Sequence, residues 1–180
     1  MSKRELELYI HIPFCARKCA YCDFLSFAVP ERGYRGYMDK LREEICGQGP
    51  NFQEYRVSTI FVGGGTPSIL PADLIMELFA TLSENFDISL DAEITMEANP
   101  GTLTMEKLEV YRQSGVNRLS IGLQSADDKE LKYLGRIHSF DSFLKSYQRA
   151  RQAGFKNINV DLMSALPGQD VYSWKNTLKK

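Results

Sequence analysis

The chain has 180 residues, 43% hydrophobic and 25% charged, with a formal net charge of -1, a profile that fits one globular domain with a real core. That balance offers no bulk electrostatic grip on nucleic acid or anionic lipid, and no apolar run approaches the roughly 18 residues of a membrane span. The opening MSKRELELYIHIPF has a charged start without the long apolar stretch of a secretory signal, so a cytoplasmic protein with reduced thiols is expected.

In chain order, strand-like runs alternate with helical ones. LYIHI (8–12) reads as a first strand and YMDKLREEI (37–45) as a helix with an apolar stripe. VSTIFV (57–62) is a second strand, followed by the helical LIMELFATLSENF (74–86). AEITMEA (92–98), the helix MEKLEVYRQSG (105–115) and RLSIGL (118–123) continue the pattern. SADDKELKYLG (125–135) reads as a short helix and SFLKSYQRARQAG (142–154) as a longer one. NINVDLM (157–163) is the fifth strand, and VYSWKNTLKK (171–180) starts a last helix, with Trp174 in a packing role. Gly115 and Gly154 fall where helices stop, and LPADLIMEL and TLTMEKLE each offer a capping residue at a helix start.

This spacing predicts an α/β fold of parallel βα units with right-handed crossovers. Two architectures fit: a doubly wound open sheet, or part of a (β/α) barrel. Both place chemistry in the loops after the strands. There the three clustered cysteines follow strand one, GGGTPS strand two, EANPGT strand three, LQSADD strand four and DLMSALPG strand five. One rim therefore gathers every informative stretch. Five parallel strands without a closing element leave a sheet edge, so residues 1–180 are expected to be the N-terminal portion of a longer protein.

Cys15, Cys19 and Cys22 stand in the segment IPFCARKCAYCDF with CxxxCxxC spacing. In a reducing compartment such thiols suit a soft metal or an iron–sulfur cluster. Position 24, where a further Cys would extend the set, is Phe24. Three thiolates on a four-iron cubane leave one iron open for a substrate. The alternatives are a zinc site completed by His11 or a distant residue, unrelated buried thiols, or a redox pair. Cys46 lacks a surrounding motif and reads as a small apolar helix residue, and His11 as structural.

CARKCAYC after a first strand resembles the signature of radical S-adenosylmethionine (radical SAM) enzymes. With FVGGGTPSIL, EANPGTL, GVNRLSIGLQS, LGRIHS and NVDLMSALPGQ in register, the chain is similar to the subfamily of oxygen-independent coproporphyrinogen III oxidases and HemW-like heme chaperones. The resemblance implies a partial (β/α)6 barrel and a 4Fe–4S cluster held by Cys15, Cys19 and Cys22. It implies further that S-adenosylmethionine chelates the open iron and is cleaved reductively to methionine and a 5′-deoxyadenosyl radical.

The resemblance also assigns contacts to S-adenosylmethionine. Tyr21 lies beside the adenine, with packing as its alternative role. Gly64, Gly65 and Thr66 of GGGTP form the methionine-binding segment, where a missing Cβ lets backbone approach a ligand. Glu97 contacts the ligand from the end of strand three, and Gln124 and Asp161 reach ribose hydroxyls from strands four and five. Arg136 meets the ligand carboxylate. Tyr9 contacts the bound ligand from strand one, or packs inside the barrel. His138, close to Arg136, is read as a substrate contact.

Phe24 replaces the extra Cys of the oxidase pattern, and only a short segment precedes strand one. Both features favour the HemW-like branch, with heme as a ligand, an unidentified electron donor and heme-accepting proteins as partners. The rival readings are oxidative decarboxylation of coproporphyrinogen III and a non-catalytic metal-binding module.

Overall fold

A computed structural model describes residues 3–180. The strands are β1 (Arg4–Ile12), β2 (Tyr55–Gly64), β3 (Ile88–Ala98), β4 (Arg118–Gln124) and β5 (Asn157–Leu162). The helices are α1 (Tyr34–Gln48), α2 (Ala72–Asn85), α3 (Met105–Gln113), α4 (Asp128–Tyr133), α5 (Phe140–Gln152) and α6 (Val171–Lys179). All five strands pair in parallel in the order β1-β2-β3-β4-β5. A doubly wound sheet reverses its strand order at a switch point. This sheet has no reversal, so of the two expected architectures the barrel-like one holds.

Residue parity explains why the helices pack where they do. Ile10 and Ile12 of β1, Ile60 and Val62 of β2, Ala92, Ile94 and Met96 of β3, and Leu119 and Ile121 of β4 are buried together. They meet Met38 and Ile45 of α1, Leu78 and Leu82 of α2, Leu108 and Tyr111 of α3 and Phe143 of α5 in one core. Each such large side chain contributes about 1.5–3 kcal/mol by leaving water. The intervening residues form the other face, which is polar: Glu93, Thr95, Glu97, Arg118, Ser120, Asn159 and Asp161. Polar groups there satisfy one another, as when Arg118 Nη1 donates to Thr95 Oγ1 at 3.1 Å. In β2 a register shift between Val57 and Thr59 changes the parity, which keeps both Val57 and Ile60 in the core.

The helix ends are mostly as expected. Thr104 Oγ1 caps α3 by accepting from the Lys107 N–H at 3.3 Å. Gly115 and Gly154 take φ values of +90° and +89° just past α3 and α5, a left-handed conformation that costs glycine little. The start of α2 differs: Pro71 occupies the cap position without a side-chain bond, and Asp73 pairs with Arg35 across to α1 at 2.7 Å. Proline serves there because the first turn's N–H groups lack helical partners in any case. Trp174 is half-buried in α6. Among the described residues, no helix is long and apolar enough to cross a membrane.

Candidate functional site

The loop after β1 is anchored at both ends before any cysteine is placed. The Cys15 N–H donates to Phe27 O at 3.0 Å and the Phe27 N–H to Pro13 O at 2.7 Å. His11 donates from Nε2 to Leu25 O at 2.9 Å, and its Nδ1 faces the Tyr9 hydroxyl at 3.3 Å. His11 is thus a tie between strand and loop, in the structural role expected of it. Halfway round, the Ala20 N–H donates to Leu134 O at 3.1 Å, which fastens the loop to the end of α4.

GGGTP closes against the same loop. The Gly65 and Thr66 N–H groups donate to Ile12 O at 2.8 Å and Phe14 O at 2.7 Å. A Cβ on Gly65 would stand 2.6 Å from Phe14 O, a distance real contacts do not reach. Gly64, at φ +114°, gives its N–H to Glu97 Oε2 at 3.0 Å.

These loops and the strand ends enclose a cleft of about 480 Å³, within the range of roughly 300–1,000 Å³ common for small-ligand sites. Cys15, Cys19, Tyr21, Cys22, Gly64, Gly65, Thr66, Glu97, Gln124, Arg136 and Asp161 all line it. Tyr9 is not among the lining residues. Its ring stacks on Phe61 with centroids 6.1 Å apart, and it is mostly exposed. Among the described residues, no three His, Cys, Asp or Glu side chains converge as ligands of a single ion. The thiols of a cubane each take a different iron, so the single-ion geometry is not the one a cluster asks for.

Charge is unevenly distributed in the cleft. Burial lifts the Glu97 carboxyl above the usual carboxylate range; the Gly64 N–H pulls it back, Asp161 raises it further and His11 lowers it. Asp161 Oδ1 accepts from Asn159 Nδ2 at 2.6 Å, and Ser120 donates to its Oδ2 at 3.1 Å. Arg136 gives Nη2 to Asn99 Oδ1 at 2.7 Å and to Gly122 O at 2.6 Å. Its Nη1 lies 3.6 Å from Cys19 Sγ and 3.5 Å from the Tyr21 hydroxyl. Its Nε is buried with no hydrogen-bond partner among the described residues, an orphan donor that an anionic ligand would satisfy. Gln124 has φ +72°, a strained value for a residue with a side chain, at the point where β4 meets the cleft.

Asn99, Ser120 and Met163 also line the cleft, though sequence reasoning passed over them. Ser120 was readable from parity, two residues before Gly122 and four before Gln124 on one strand face. Two other expectations change. Cys46 is exposed on α1 instead of packed, with Asn85 Nδ2 at 3.7 Å from its sulfur. His138 is buried, donating from Nε2 to Leu123 O at 3.3 Å, and does not line the main cleft.

The sequence matches the family model of the Radical SAM superfamily over residues 9–180. It is 42% identical over 167 residues to the heme chaperone HemW of Escherichia coli (strain K12), covering 92% of this chain and 44% of that protein. Against the heme chaperone HemW of Lactococcus lactis subsp. lactis (strain IL1403) it is 38% identical over 180 residues, covering 100% of this chain and 46% of that one. The solved coproporphyrinogen III oxidase (HemN) from Escherichia coli, described as a radical SAM enzyme, superposes with a TM-score of 0.92 and 34% identity, over 99% of this chain and 42% of that chain. The chain thus spans less than half the length of the relatives it matches.

Proposed function

The chain belongs to the radical SAM superfamily, and from that premise we propose that its cleft holds a 4Fe–4S cluster on Cys15, Cys19 and Cys22 beside a bound S-adenosylmethionine. The observation that carries this reading is the cleft itself: three thiols, three carboxylates, a glycine turn and an arginine with a buried, unpartnered Nε line one space. The donor set suits the cluster, since soft thiolates are the usual ligands of iron–sulfur centres. The chemistry supplied when both are bound is reductive cleavage of the sulfonium.

The protein's own part is to position and shield. Gly64 and Gly65 bring backbone close to the ligand's methionine portion, with Thr66 beside them, and Glu97 takes its ammonium group. Arg136 receives the carboxylate, with Nε as the free donor. Gln124 and Asp161 hold ribose hydroxyls, and Tyr21 flanks the adenine. Thiolate ligation of this kind suits a reducing compartment, which supports a cytoplasmic location.

For the whole protein, the likeness to two HemW chaperones supports a role in heme handling, with a separate electron donor and heme-accepting proteins as partners. Phe24, where the oxidase pattern has Cys, points the same way. The likeness to HemN favours the second reading, oxidative decarboxylation of coproporphyrinogen III.

Anaerobic reconstitution with iron and sulfide, followed by EPR of the reduced chain, tests the site. A 4Fe–4S signal that shifts on adding S-adenosylmethionine is expected. A signal indifferent to the ligand removes the binding rim, and stoichiometric zinc in place of iron removes the cluster. Hemin binding without porphyrinogen turnover separates the chaperone from the oxidase.

A further inference from the structure

Two of the three clustered thiols share a single amide. Asn99 Nδ2 donates to Thr66 Oγ1 at 2.9 Å, and Thr66 Oγ1 lies 3.6 Å from Cys15 Sγ. At the other end Asn99 Oδ1 accepts from Arg136 Nη2 at 2.7 Å, and Arg136 Nη1 lies 3.6 Å from Cys19 Sγ. A guanidinium can only donate, so the oxygen end of the amide must face Arg136 and the nitrogen end Thr66. The Thr66 oxygen is then occupied as an acceptor by Asn99, and its own proton is directed to Cys15. Asn99 is itself fixed: its N–H donates to Ser68 Oγ at 3.2 Å and its carbonyl accepts from Thr102 Oγ1 at 2.7 Å.

We propose that Asn99 is a positioning residue that sets the hydrogen bonds on two cluster-bearing sulfurs at once, and thereby the reduction potential of the centre. The inference rests on the reading of Cys15 and Cys19 as cluster ligands. Donors aimed at ligand sulfur stabilise the extra negative charge of the reduced state and raise the potential. Asn99→Asp replaces the donor end with an acceptor. The Thr66 hydroxyl then turns to the carboxylate, and Cys15 loses its donor.

The test is an EPR-monitored redox titration of the reconstituted chain and of the N99D, T66V and N99D/T66V variants, with iron and sulfide counted in each. At a fixed poise N99D is expected to lower the ratio of reduced to oxidised centre at least tenfold, which is about 59 mV for a one-electron couple. T66V should shift the midpoint in the same direction, and the double variant by less than the sum, because both changes remove one bond. Additive shifts would mean that the carboxylate acts through charge alone, which overturns the proposal. If N99D does not fold, T66V decides, and an unchanged midpoint there overturns it too. A parent chain that retains no iron and sulfide sinks the ligand reading and this inference with it, whereas a loaded parent with indifferent variants sinks this inference alone.

Discussion

Arg136 Nη1 lies 3.6 Å from Cys19 Sγ although the two residues are 117 apart in sequence. What brings them together is the end of α4. Leu134 O accepts from the Ala20 N–H, and Gly135 turns the chain beside Ala20 at φ +76°, a conformation that glycine takes at little cost. A helix of six residues has little stability of its own. Here it acts as a bracket that carries a guanidinium into the cysteine loop.

Arg136→Lys tests that bracket. A lysine keeps the charge but loses the planar fork that reaches Asn99, Gly122 O and Cys19 together. Leaving those acceptors short of donors is expected to cost about 1–3 kcal/mol. The Tm of the chain should fall by roughly 2–4 °C for each kcal/mol lost. S-adenosylmethionine affinity, read by calorimetry on the reconstituted chain, should fall by at least about tenfold, or 1.4 kcal/mol. An unchanged affinity would take Arg136 out of the ligand site.

The alternation in AEITMEA and RLSIGL was enough to place Glu97 at a strand end, because period two assigns faces in a parallel sheet as in any other. Arg136 was legible through the register of several quoted stretches, since nothing in LGRIH alone says where the guanidinium goes. Asn99 was not: an asparagine before Pro100 reads as a turn residue, and its two bonds depend on partners from β2's loop and from beyond α4. The left-handed backbone at Gln124 was hidden as well, because that conformation is usually announced by glycine. Cys46 misled for a different reason. Burial on a helix depends on which face its neighbours cover, and Ile45 took the inward position.

Gly65→Ala should damage the site through backbone. Its Cβ would meet Phe14 O, C and N at 2.6–2.9 Å, and main chain cannot rotate away as a side chain can. Crowding of this kind costs typically about 1–3 kcal/mol. The expected outcome is a lower Tm with poor retention of iron after reconstitution. A variant as stable as the parent and fully loaded would show that the GGGTP turn and the cysteine loop do not need this close approach.

Glu97→Gln should separate stability from binding. The carboxyl has a raised pKa, chiefly from burial, so its charged form is disfavoured in the folded chain. Its contribution is present below the ordinary carboxylate pKa and is lost as pH rises through the raised one. At pH 7 the amide removes that penalty and still accepts from the Gly64 N–H. The ligand-free chain is expected to melt at a slightly higher temperature than the parent, by at most a few °C. The same variant should bind S-adenosylmethionine more weakly, since an amide oxygen holds an ammonium less well than a carboxylate does. A gain in both properties would contradict the role given to Glu97.

His138 gives the chain an acid-sensitive point outside the main cleft. Burial, helped by the Arg136 charge, pushes its imidazole down from the usual 6.5 to about 4, and the neutral ring donates from Nε2 to Leu123 O. Between those two values the unfolded chain takes up a proton that the folded chain refuses. Folding stability is therefore complete above about pH 6.5 and declines as pH falls toward 4, by up to about 3 kcal/mol at 1.36 kcal/mol per unit. Carboxyls titrate in part of the same window, so the informative quantity is the difference between the parent and His138→Gln, whose amide can donate to the same carbonyl without taking a proton. Urea unfolding at pH 7 and pH 5 should show the parent losing about 2 kcal/mol more than the variant. Equal losses in the two proteins would mean that His138 titrates normally and that its burial does not hold in solution.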